Sequence, residues 1–196
     1  MVMRKFIGEL DAALNVRKVM PSACLSQSSE LVILLEDSKE VGKTIIIEDE
    51  VDEEYAKQTC FKIANKDGKE VVLFAIDGCF IPSGKRLSPK YSKKCDCIFG
   101  YEGSICFLEF KMDAISLHPK AIADNRSKAC EQIEQTYSFF DDSLKAKGVD
   151  FSSWNLYGYV CTPPSYPNKT TAMTDLTIGF LEKYGLEIFE LNEVEV

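Results

Sequence analysis

Apolar residues recur along this chain at two spacings, one helical and one strand-like, and their alternation lays out a mixed α/β order. Phe6, Leu10, Ala13 and Leu14 repeat at helical spacing, so residues 3–19 are expected to form a helix that stops before Pro21. Residues 28–41 suit either state. Leu31 to Leu35 is a short apolar run that fits a strand, while the flanking serines and acids fit a helix, which is the preferred reading. Strands are expected at Thr44–Glu48, Thr59–Ala64 and Val71–Ile76, and the acidic stretch Glu48 to Glu54 reads as a solvated connection. Asn65-Lys66-Asp67-Gly68 carries a turn signal that predicts a hairpin between the last two strands. Residues 82–93, rich in proline and serine, read as a loop.

Two strands then follow in close succession, Lys94–Gly100 and Ser104–Lys111. Cys130, Ile133, Tyr137, Phe140 and Leu144 form the apolar stripe of a long helix over Asn125–Lys147, with Gly148 as its C-terminal cap. A strand at Asn155–Cys161 ends at Pro163-Pro164, a helix covers Asp175–Tyr184, and Leu186–Leu191 is the last expected strand. With no repeat and no linker, the pattern predicts one α/β (α+β mixed-sheet) domain over residues 1–196, its core at about 70–161.

The pair of strands around Glu102-Gly103 carries the chemistry. If those two residues form the turn, Tyr101 pairs with Ser104, Phe99 with Cys106, Ile98 with Phe107, Asp96 with Glu109 and Lys94 with Lys111. Directly opposed side chains of an antiparallel pair share a face, as do residues two apart on one strand. Asp96, Glu109 and Lys111 then converge on the face that also holds Ile98, Ile105 and Phe107. Phe99, Leu108 and Phe110 occupy the other, and a strand apolar on both faces is covered on both. Two carboxylates opposed in a partly dry place repel each other unless a proton, a cation or Lys111 compensates. A divalent ion is the most direct solution, and hard oxygen ligands favour Mg²⁺ or Mn²⁺. A surface ion-pair ladder, or a metal-free core in which Lys111 neutralises the acids, are the plainer alternatives.

An acid on one strand followed by Glu-x-Lys near the end of the next, here Cys95-Asp96-Cys97 and then Leu108-Glu109-Phe110-Lys111, resembles the PD-(D/E)XK nuclease superfamily. That superfamily includes restriction endonucleases and RecB-like nucleases, and the segments also resemble small uncharacterised bacterial proteins of this kind. The resemblance covers roughly residues 70–145. It implies a restriction-endonuclease-like core, a central mixed sheet flanked by helices, with Asp96 and Glu109 as metal ligands and Lys111 as the cation that orients the attacking water. RecB-like members carry a glutamine and a tyrosine on the following helix, which points to Gln132 and Tyr137, although their separation is one residue longer than usual. Cys95 stands where the superfamily's name has proline. A glutamate from the first helix is often part of such sites, with Glu36, Glu40 and Glu9 as candidates, and Asp77 at a strand end could add an oxygen.

Composition sharpens these expectations. A formal net charge of −8 argues against a protein that coats nucleic acid through an unbroken basic surface. The basic residues cluster locally, at Lys85, Arg86, Lys90, Lys93 and Lys94, in a loop that either is simply solvated or tracks a nucleic-acid backbone. Met1 to Leu14 places Glu9 and Asp11 among its apolar residues and lacks a small-residue cleavage site, so a signal peptide is not expected. No apolar run nears the roughly 20 residues that span a bilayer, so no membrane partner is expected. With eight cysteines and no secretory signal, reduced thiols in a cytoplasmic protein are expected. Cys95 and Cys97 are too close for a zinc knuckle, and His118 is the only histidine.

The functional expectation is a Mg²⁺- or Mn²⁺-dependent phosphodiester hydrolase, with DNA as substrate by family resemblance alone. The alternative is a catalytically inactive binding or protein-interaction module of the same fold. A second copy of the chain or a protein partner is compatible with either.

Overall fold

A computed structural model describes residues 24–48, 50–146, 148, 154–167 and 171–196. The helix expected over residues 3–19, with Glu9, lies outside the described residues. The elements run β1 (Leu25–Ser28), β2 (Val32–Ser38), β3 (Lys43–Ile47), α1 (Glu53–Thr59), β4 (Cys60–Ala64), β5 (Val71–Ala75), β6 (Cys97–Tyr101) and β7 (Ser104–Phe110). They continue with α2 (Pro119–Lys145), β8 (Asn155–Cys161), α3 (Thr171–Tyr184), β9 (Leu186–Glu190) and β10 (Glu193–Glu195). Among the described residues no helix is long and apolar enough to cross a membrane.

Two mixed sheets result. The larger has the order β1-β5-β6-β7-β8-β9, and the smaller β10-β4-β2-β3. From β1 to β7 neighbouring strands of the larger sheet are antiparallel, whereas β7, β8 and β9 run parallel. Parallel neighbours need a crossover, and α2 and α3 provide the two. Both helices pack on one face of the sheet, where Ile133, Tyr137, Phe140 and Phe180 meet Phe74, Ile98, Phe107 and Ile188. Gly158 lets α2 come close over β8: a Cβ there would lie 3.3 Å from Cγ2 of Ile133 and 3.1 Å from Cγ1 of Ile188.

The opposite face of the larger sheet is covered by the smaller sheet, with Ile33, Leu35, Phe61 and Ile63 packed against Leu73, Phe99, Leu108 and Tyr159. The mixed α/β class therefore holds, but among the described residues the second cover is β-structure and not helices. The five stripe residues expected on α2 are all buried. That helix begins six residues before the expected start, because Pro119 suits its first turn and His118 Nδ1 accepts the Lys120 N–H at 3.3 Å. Gly148, at φ 74°, stands just past its end, as expected.

Three local expectations fail. Residues 32–38 form β2 and not a helix, because Ile33 and Leu35 alternate inward and the strand finds partners on both sides, β3 and β4. Asn65 to Gly68 do form a turn, in which the Asn65 side chain binds the Lys69 backbone and the Glu30 carbonyl. That turn carries the chain from the smaller sheet to the larger, so β4 and β5 make no hairpin. The end of the acidic stretch opens α1, with Asp52 accepting the Glu54 and Tyr55 N–H groups as N-cap. The short strands β1 and β10 had no signal in the pattern. The expectation of eight reduced thiols also fails: Cys24 and Cys79 form a disulfide once β1 pairs with β5, and the other six are free and buried.

Candidate functional site

The β6–β7 hairpin has the expected register, with Tyr101 opposite Ser104 and Cys97 opposite Leu108. Gly103 takes the left-handed conformation, φ 81°, that closes a tight turn. Asp96 stands one residue before this ladder. Its carbonyl accepts the Ile76 and Asp77 N–H groups at 2.9 and 3.1 Å. Its carboxylate crosses to β7, where Oδ2 accepts the Phe110 N–H at 2.6 Å. Asp96, Glu109 and Lys111 thus line one pocket of about 620 Å³ at the end of the larger sheet.

Glu109 is 2% exposed and the Lys111 amine donates to its Oε1, while Oε2 is buried without any hydrogen-bond donor. Lys111 also donates to Oε1 of Gln132 at 2.9 Å, and Gln132 Nε2 donates to the Lys94 carbonyl at 2.9 Å. Gln132 on α2 therefore holds the lysine in place. Tyr137, one helical turn further, has no place in the pocket: its ring packs edge-on against Phe107 and Tyr184 in the core.

Electrostatics sets this cluster apart. Burial pushes the Asp96 carboxyl up to about 7, with Asp37 and Asp77 adding to the rise and the Phe110 N–H and Lys111 opposing it. Glu109 is raised well above the usual carboxylate range, first by burial and then by Asp96. Lys111 is in direct contact with Glu109 yet does not reverse the rise, because one cation faces two carboxylates in a nearly dry place. Both acids hold protons more tightly than exposed carboxylates do unless further positive charge arrives.

The far wall comes from the smaller sheet. Glu36 lines the pocket, but its Oε1 accepts the Tyr55 hydroxyl at 2.5 Å, and Glu40 lies on the turn after β2. Between them Asp37 is the acid whose charge acts most on Asp96, and its own carboxyl is raised by burial and by Asp77. Reading residues 28–41 as a helix hid Asp37. Glu36 and Glu40 would share a helical face, whereas strand alternation and the approach of the second sheet bring Asp37 in. Asp77 is ion-paired with Lys94 at 3.3 Å, behind the Asp96 backbone.

The basic loop behaves differently from a free cationic surface. Lys94 is buried, and its amine donates to the Lys85 carbonyl at 2.7 Å, so it does not face Lys111. Lys93 pairs with Glu131, and Lys90 with Asp142 at 2.6 Å. Lys85 and Arg86 remain exposed.

The donor set has the right chemistry for a hard divalent ion: Glu109 Oε2 lacks a partner, and Asp96 lies beside it in the same pocket. Among the described residues no group of three or more His, Cys, Asp or Glu side chains is drawn together as a ready-made cage. An ion there would keep several water or substrate oxygens, as Mg²⁺ commonly does. Comparison of the chain with protein-family models, curated proteins and solved structures finds no match in any of the three.

Proposed function

We propose that this chain is a metal-dependent nuclease that hydrolyses phosphodiester bonds, with DNA the substrate expected from the resemblance. The observation that carries the reading is Glu109 Oε2, a buried carboxylate oxygen without a donor, next to Asp96 and beside a lysine already committed to Oε1. A Mg²⁺ or Mn²⁺ ion held by Asp96 and Glu109 would polarise a phosphate oxygen and lower the pKa of a bound water. The protein's own part is positional. Glu109 presents its oxygens from β7, and Asp96 from the residue that leads into β6. Gln132 fixes the Lys111 amine, which can donate to a phosphate oxygen or orient the attacking water as charge develops.

A second reading, the interaction module, draws on two observations. Six acids and two lysines line the pocket, and Lys90, Lys93 and Lys94 of the basic loop are engaged by acids within the fold. Both features weaken attraction to a polyanion and suit a basic partner instead.

The experiment is cleavage of single- and double-stranded DNA and RNA by the purified full chain at low salt, in Mg²⁺ or Mn²⁺ against EDTA. Cleavage is expected with either metal and not in EDTA, and Lys111→Ala should lose it while still binding Mn²⁺. If neither cleavage nor Mn²⁺ binding is found, the interaction-module reading replaces this one.

A further inference from the structure

The turn that follows β5 is tied down on three sides, and the ties lead to the acid pocket. Cys79 in this turn is disulfide-bonded to Cys24, 55 residues earlier, at the entry to β1. Phe80 and Ile81 donate their N–H groups back to the Ala75 and Ile76 carbonyls at 3.3 and 2.9 Å. Gly78, at φ 74°, is pressed against the β2–β3 turn so closely that a Cβ there would lie 1.7 Å from the Gly42 carbonyl oxygen. No side chain other than hydrogen fits that junction.

What lies on either side of the junction matters. Asp77 opens the pinned turn and donates its N–H to the Asp96 carbonyl at 3.1 Å. Asp37 and Glu40 lie at the end of β2 and in the turn that Gly78 abuts, and both line the pocket. The two sheets therefore meet at Gly78 and Gly42, and their meeting fixes how closely the acids of one wall face those of the other. Carboxylates crowded in this way repel one another, so the wall needs a mechanical stop.

We propose that the Cys24–Cys79 disulfide is a redox brace that regulates the divalent-cation affinity of this pocket, with the oxidised protein the tighter binder. The inference rests on the metal reading of the site given above. With the bridge closed, the Asp77–Ile81 turn is anchored to the β1 edge and the acids stay converged. With it open, the turn keeps its backbone hydrogen bonds, the Asp77–Lys94 ion pair and the packing of Phe80, but it loses its covalent tie to the β1 edge and mutual repulsion spreads the two walls. A cation must then reassemble them, which reduces its apparent affinity.

The reductant is a dithiol. One of its thiolates attacks a sulfur of the bridge and displaces the other cysteine as thiolate, and its second thiol resolves the mixed disulfide. Two electrons and two protons pass from the dithiol to the cysteines, and the dithiol leaves as its own disulfide.

The test is calorimetric titration of the full chain with Mn²⁺, first oxidised, then after reduction with dithiothreitol and anaerobic removal of the reagent, with free thiols counted by mass spectrometry. Reduction should weaken Mn²⁺ binding about ten-fold. The C24S/C79S double variant should match the reduced protein and ignore dithiothreitol. Hydrogen exchange gives a second readout: the Gly42 and Gly78 amides should lose protection on reduction. Mn²⁺ bound equally by both forms, or unchanged exchange at both turns, overturns the brace alone. Mn²⁺ bound by neither form removes the metal reading and the brace's control over it together.

Discussion

Two of the buried charge clusters among the described residues are built on opposite plans. Arg126 on α2 and Glu190 on β9 are 4% and 6% exposed. The Arg126 Nε donates to both Glu190 oxygens at 3.1 Å, and an Nη adds bonds of 2.8 Å to Glu190 and 2.6 Å to the Pro167 carbonyl. One cation meets one anion, and every Glu190 oxygen is engaged. At the other cluster one lysine meets two acids, one Glu109 oxygen has no donor, and both carboxyls are held above their usual range. The first arrangement has nothing left to bind. The second retains unmet electrostatic demand in a pocket open to solvent, and that is the feature on which the proposed metal reading rests.

The comparison can be broken first at its satisfied end. Arg126→Met leaves Glu190 buried without its partner and should cost about 3–5 kcal/mol in urea unfolding, or about 10 °C in Tm for a chain of this size. Asp96→Asn should act in the opposite direction. Burial holds the folded carboxyl of Asp96 at about 7, well above the 3.8 of an ordinary aspartate, so the folded state binds the proton more tightly. Its ionisation therefore removes stability progressively as pH rises between those values, and the loss is complete above about 7. In EDTA the Asn variant should melt close to wild type near pH 4 and above it at pH 8, by at most about 4 kcal/mol. An Asn variant less stable than wild type at pH 8 would mean that Asp96 is already compensated.

Mn²⁺ sharpens the contrast further. At about a hundred times its Kd it should stabilise wild type by about 2.7 kcal/mol and leave Asp96→Asn nearly unmoved in a thermal melt. Equal responses would place the ion elsewhere. The smallest expected effect is that of Gln132→Met, which deprives Lys111 of one of its two acceptors and should change stability by about 1 kcal/mol. Its larger consequence should be in kcat for cleavage, because Lys111 loses its anchor while the carboxylates are untouched.

How much of this was legible beforehand varies by element. The β6–β7 register could be read because a two-residue turn and strict alternation leave one pairing that keeps apolar residues together. Asp96, Glu109 and Lys111 line one pocket, although Asp96 stands before the ladder and not in a pair with Glu109, and Gln132 joins them because its place beside the Ile133 stripe turns it to the sheet edge. Lys94 breaks the same pattern. A buried amine needs acceptors, and it finds Asp77 and the Lys85 carbonyl instead of standing opposite Lys111.

Local patterning along the chain set the order of strands and helices from β5 to β9, the apolar faces of β6, β7 and α2, and the register of the β6–β7 hairpin. These depend on residues near one another in sequence, whose periodicity is fixed by backbone geometry. Only the tertiary structure decided that residues 32–38 are a strand, that a second sheet covers the larger one, and that Asp37 faces Asp96. Leu31 to Leu35 is compatible with either local state, and the choice falls to partners 11–32 residues away in β3 and β4. The Cys24–Cys79 bridge and the Gly78–Gly42 contact belong to the same class. They join segments distant along the chain, and no local pattern encodes a distance that arises only once two sheets have packed.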